Sequence, residues 1–129
     1  MGNDSFGFAK TGGLACGERR AGRVTILDLA GSVTIGEGTD ALRRETRRLI
    51  KAGRHHLLLN LSRVRFVDSA GLGGMIAALL AARRRGGQVA LLAPRPNVLE
   101  VIEVTRLERV FAIYGDEPSA LRGMGGGRV

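Results

Sequence analysis

The feature that most restricts this chain is a run at its centre, His56-Leu57-Leu58-Leu59-Asn60-Leu61, apolar on consecutive positions and bounded by polar residues. Successive side chains of a strand point to opposite faces, so this pattern predicts a short strand buried on both sides. The flanking segments can supply the cover. Residues 39–52 place Leu42, Leu49 and Ile50 on one stripe with Thr46 between them. Arg43, Arg44, Arg47, Arg48 and Lys51 fall on the other side, which predicts an amphipathic helix with a solvated basic face, ended by Gly53. Residues 69–85 carry Leu72, Met75, Ile76, Leu79 and Leu80 at the spacing of a helical core face, closed by Gly86-Gly87.

The rest of the chain continues this alternation. Residues 14–19 and 23–29 read as two strands joined by a turn at Arg20-Ala21-Gly22, and Gly31 is expected to break the second. A turn at Ser62-Arg63-Val64 is expected to separate the central strand from Arg65-Phe66-Val67. Residues 88–93 form another buried strand, Pro96 opens a third helix to about residue 106, and residues 110–114 form a last strand. Residues 117–121 add a final helical turn. Opening strands followed by alternating helices and single strands predict one α/β domain, a mixed β-sheet flanked by α-helices. Its bounds are read as 14–122, with flexible segments at 1–13 and 123–129.

Composition narrows the function. At 129 residues there is room for one modest core and no second domain. Cys16 is the sole cysteine, expected to be a small core residue, so neither an internal disulfide nor a cysteine metal site is available. His55 and His56 are adjacent and would point to opposite faces of a strand, so they cannot ligate one metal together. There is no signal-peptide layout at the start, and residues 72–82, the longest nearly apolar stretch, fall short of the ~20 needed to cross a bilayer. A cytoplasmic protein without membrane insertion is expected. The formal charge of +8 comes almost wholly from arginine and is read as solvated surface. Asp28, Asp40 and Asp68 form no obvious acid–base pair, and there is no phosphate loop or nucleophile elbow. The chain is read as no enzyme and as needing no cofactor.

Ser69 stands out. It follows strand-like Phe66-Val67 and precedes a periodic helix, where an N-cap belongs. A helix start also offers free N–H groups and positive dipole charge to an added phosphate, so the residue can be cap, switch or both. The helix it opens has a second face of small residues, Gly73, Gly74, Ala77, Ala78, Ala81 and Ala82. Glycines inside a helix cost about 1 kcal/mol each relative to alanine, and small residues allow another backbone close. Either a neighbouring helix or a partner fits that face.

The segment Phe66-Val67-Asp68-Ser69-Ala70-Gly71-Leu72-Gly73 resembles the signature of the STAS family, in which an aromatic, an aliphatic and an Asp lead into a phosphorylatable serine. The resemblance extends over about residues 14–121. Gly31-Ser32-Val33-Thr34-Ile35-Gly36-Glu37-Gly38 resembles the loop into the first helix of the bacterial anti-sigma factor antagonists, and Gly86-Gly87 and Thr105-Arg106-Leu107 fit as well. It implies a STAS-type mixed sheet and a phosphoprotein that works by partner switching. The unphosphorylated domain would hold an anti-sigma factor serine kinase and free the sigma factor. Phosphorylation of Ser69 by that kinase would release it, and a PP2C-type phosphatase would reverse the step. Asp68, Ser69, Gly71, Leu72, Gly73, Gly74, Ala77, Ser32 and Thr34 would form the contact surface of a domain that is monomeric alone. Two positions depart from the pattern. Ala70 replaces a second hydroxyl residue, and Thr34 stands where the best-studied branch has an acidic kinase contact.

Two other functions compete. STAS domains also serve as accessory or scaffold subunits of stress-sensing complexes and of lipid-transport ABC systems. Direct nucleic-acid binding through the arginine-rich first helix is disfavoured, because stacking aromatics and a reading motif are missing.

Overall fold

Leu57, Leu58 and Leu59 are fully buried, as a strand covered on both faces requires. The computed structural model describes residues 9–11 and 13–125. Its strands are β1 (Ala9–Thr11), β2 (Leu14–Ala21), β3 (Val24–Val33), β4 (His56–Val67), β5 (Gln88–Leu92) and β6 (Ala112–Tyr114). Its helices are α1 (Glu37–Lys51), α2 (Ser69–Arg84), α3 (Pro96–Val104) and α4 (Glu117–Met124), with a 3-10 turn at Leu107–Arg109. The strands form one six-stranded sheet in chain order. Tight connections make β1, β2 and β3 antiparallel, whereas the helical crossovers after β3, β4 and β5 make the remaining pairs parallel.

The sheet is covered on both sides. Leu57, Leu59 and Leu61 share one cluster with Leu42 and Leu49 of α1, Leu72, Met75 and Leu79 of α2, and Val98 and Ile102 of α3. Leu58 faces the other way, joining Val24, Ile26, Ala90 and Leu92 beneath Ala120 and Met124 of α4. Cys16 lies in the first cluster, where burial pushes its thiol up to about 11. No helix among the described residues is long and apolar enough to cross a membrane.

Several elements differ from the sequence expectation. Gly31 does not end β3; at φ +123° it sits in a β-bulge, beyond which Ser32 and Val33 pair with Phe66 and Val67. The expected turn at Ser62-Arg63-Val64 is likewise strand, because Ala30 and Gly31 of β3 pair with Arg63 and Val64 between two register shifts. Residues 9–11 form an edge strand on β2 within the segment expected to be flexible, and α4 runs on to Met124, buried at its end. Residues 1–8, 12 and 126–129 lie outside the described ones. The third helix stops at Val104, because Arg106 takes a left-handed conformation at φ +64°. Finally, Arg43 and Arg47 do not simply face open solvent; they line a groove against α2.

Candidate functional site

At the end of β4 the backbone of Asp68 stays extended, at φ −108° and ψ −174°, and its carboxylate accepts the Gly71 N–H at 2.9 Å. Asp68 is therefore the N-cap of α2. Ser69, expected there, is the first helical residue instead. Aspartate and serine cap about equally well, so two adjacent cap formers leave the choice to geometry. The carboxylate has a second oxygen, which accepts the Ile35 N–H at 2.8 Å and ties the loop after β3 to the start of α2. With the cap taken, Ser69 is exposed and its hydroxyl has no hydrogen-bond partner among the described residues.

Backbone contacts fix the same corner. The Asp68 N–H donates to the Val33 carbonyl at 3.4 Å, and a side chain at Gly71 would drive into that same carbonyl oxygen. Gly38 at the start of α1 makes the equivalent close approach to the Ser32 carbonyl. The Thr34 carbonyl accepts from the backbone N–H of Thr39 at 3.0 Å and from its hydroxyl at 2.7 Å. Ser32, Thr34, Asp68 and Ser69 thus belong to one corner, joined by hydrogen bonds above the buried Val33, Val67 and Leu72.

The other anticipated contact residues divide. Gly71, Leu72 and Gly74 are buried, so they shape the corner and offer little surface to a partner. Gly74 lies against Leu42, Thr39 and Arg43 of α1, which assigns that side of the small-residue face to an internal helix contact. Gly73 and Ala77 remain partly open. At Gly73 a methyl group would find only the tip of Arg43, 3.8 Å away, so the fold does not require glycine there.

Two further residues flank the corner, Ile35 inside the loop read as part of the contact surface and Phe66 at the start of the signature segment. Ile35 is 80% exposed and Phe66, in register with Ser32, is 59% exposed. An apolar side chain inside the glycine-rich loop was the available signal for Ile35. Phe66 carried none, since a phenylalanine in a strand ordinarily turns inward.

The two N–H groups, Ile35 first and Gly71 second, hold the Asp68 carboxyl below the usual carboxylate range. A carboxylate whose folded pKa is depressed stabilises fully above its unfolded value of about 3.9, and that stabilisation fades as pH falls through the folded value. Asp68→Ala should accordingly cost about 1 kcal/mol at neutral pH, with faster hydrogen exchange at the Ile35 amide. The gap between wild type and variant should shrink as pH falls below the unfolded value of about 3.9. Urea unfolding at several pH values checks this; a gap independent of pH would show that the charge does not hold the loop.

The STAS domain family model matches residues 19–120 of the chain. Among curated proteins, the anti-sigma F factor antagonist of Paenibacillus polymyxa is 30% identical over 66 residues, 51% of this chain and 56% of that protein. The chain spans 56%, 64% and 58% of the lengths of three curated relatives that it matches. Among solved structures, an anti-sigma factor antagonist from Mycobacterium paratuberculosis superposes with a TM-score of 0.76 at 22% identity, covering 87% of this chain and 94% of that one. The Bacillus cell fate determinant SpoIIAA in its phosphorylated form gives 0.66 at 21% identity, covering 84% and 97%. At these identities the structural likeness is one of fold. The match to the family model over most of the described residues settles the family: the chain belongs to the STAS domain family.

Proposed function

We propose that this chain is an anti-sigma factor antagonist whose corner at Ser69 binds an anti-sigma factor serine kinase and is switched off by phosphorylation of Ser69. The observation that carries the reading is the state of Ser69 itself: exposed, free of any capping duty, and first in a helix whose cap is a separate residue. A serine in that position can accept a phosphate without unmaking a bond the fold depends on. The exposed Ile35 and Phe66 supply apolar contact beside it, and partly open Gly73 lets a partner backbone come close one turn along α2. Asp68 and Thr34 hold the corner in shape. The names of the curated relatives support the antagonist role. In this reading the unphosphorylated domain holds the kinase and frees the sigma factor, and a PP2C-type phosphatase restores the binding form.

Ala70 next to Ser69 removes a neighbouring acceptor. Incubation with a purified anti-sigma factor kinase and ATP should add one phosphate to the wild type and none to Ser69→Ala, read by intact mass and peptide mapping. A phosphate on Ser69→Ala, or one mapped elsewhere in the wild type, would overturn the assignment of the switch.

A further inference from the structure

Between α1 and α2 lies an open groove with a cavity of about 390 Å³. Gly74, Ala77, Ala78 and Ala81 of α2 line its floor, Ala77 and Ala81 partly open and Gly74 and Ala78 buried beneath them. Arg43, Arg47 and Lys51 of α1 line one wall, and Arg84 and Arg85 close the far end. No aspartate or glutamate lines it. Outside the groove some cations are ion-paired and others, such as Arg44, Arg54 and Arg65, form no ion pair among the described residues. Arg19 is paired with Asp28 and Glu117, and Arg48 with Glu18 and Glu45. In the groove Arg43, Arg47, Lys51 and Arg84 form no ion pair among the described residues, and Arg85 reaches only the Ile50 carbonyl, at 3.4 Å.

The arrangement of these charges selects the kind of occupant. Positions 43, 47 and 51 follow each other at four-residue intervals, so their side chains stand in a row about 6 Å apart along α1. A small anion would be served by cations converging on one point, whereas a row matches carboxylates repeated at every turn of a second helix. The floor is built for the same guest. Side chains no larger than a methyl group let a helix backbone settle close, over about 10 Å from residue 74 to residue 81.

We propose that the α1–α2 groove docks an acidic amphipathic helix of a partner protein, its glutamates or aspartates answering Arg43, Arg47 and Lys51 and its short apolar side chains resting on the alanine floor. This surface adjoins the Ser69 corner where Arg43 approaches Gly73, but Ser69 itself does not line it. It would give the domain a second handle, governed by salt rather than by phosphorylation.

The probe is a synthetic helical peptide with glutamate at four-residue intervals beside a stripe of alanine and leucine, labelled with fluorescein and titrated by anisotropy. The wild type should bind it with an affinity that falls as salt rises. The triple variant Arg43→Gln/Arg47→Gln/Lys51→Gln should bind at least about tenfold more weakly while keeping the wild-type thermal midpoint. Ala81→Phe, which fills the floor without changing charge, should weaken binding as well. Arg44→Gln, on the same helix but outside the groove, should bind like the wild type. Amide shifts on binding should concentrate at Lys51, Ala77 and Ala81. Absence of binding, equal binding of a glutamine-substituted peptide, or an undiminished affinity in the triple variant would each overturn the proposal. So would shifts centred on Ile35 and Ser69, or tighter binding of a short RNA at the same residues.

Discussion

Replacing Gly71 by alanine should destabilise the domain by about 3 kcal/mol, lowering its thermal midpoint by roughly 10 °C, although the change adds a single methyl group. The methyl would be driven into the carbonyl oxygen of Val33 and crowd its side chain. Neither can give way cheaply. Val33 is paired with Val67 in the sheet, and the same carbonyl receives the Asp68 N–H. Relief would mean prising the start of α2 away from β3, which would also break the Asp68 bonds to Ile35 and Gly71. Gly73→Ala is the internal control. It lies two residues on in the same helix, with only the flexible tip of Arg43 nearby, and should stabilise the fold by up to about 1 kcal/mol through helix propensity. Thermal and urea unfolding of the two variants read the contrast. Similar stabilities would show that the corner is not clamped by close backbone approach.

How far the sequence announced this arrangement depends on whether the signal was local. The stripe of Leu42, Thr46, Leu49 and Ile50 and the run from His56 to Leu61 carry their own periodicity, and both are buried as that periodicity predicts. The continuation of β3 and β4 was hidden. Gly31 and the polar Ser62-Arg63 pair look like punctuation, and only the partner strand shows that one is a bulge and that the ladder runs on through the other. β1 was missed for the same reason, since a three-residue strand exists only through its pairing with β2. At the corner, the Asp-Ser dipeptide marked the right turn, but which of the two caps the helix depends on Ile35, 33 residues away, reaching the carboxylate. Exposure of Phe66 is a property of the assembled surface and has no local signature, whereas Ile35 is marked by its place in a glycine-rich loop.

Phosphorylation of Ser69 should weaken partner binding about a hundredfold while leaving the domain folded. A phosphate adds roughly −1.5 to −2 charges and considerable bulk at a site that the partner must desolvate. It would stand beside the Asp68 carboxylate, which is already ionised at neutral pH and held so by its two N–H donors. Burying such a hydrated anion against a partner costs several kcal/mol, and about 3 kcal/mol suffices for the hundredfold effect. The fold has less at stake. The Ser69 hydroxyl makes no hydrogen bond among the described residues, and the positive end of the α2 dipole favours added negative charge. Ser69→Ala should therefore match the wild type in stability and bind constitutively. Ser69→Asp should stay folded and bind poorly, its single charge reproducing part of the phosphate effect. The most direct measurement is calorimetric titration of the wild type, Ser69→Ala, Ser69→Asp and the Ser69-phosphorylated protein into a purified anti-sigma factor kinase. Tight and nearly equal binding of the first two, with about hundredfold weaker binding of the phosphoprotein, is the result the account predicts; equal affinity across all four would contradict it.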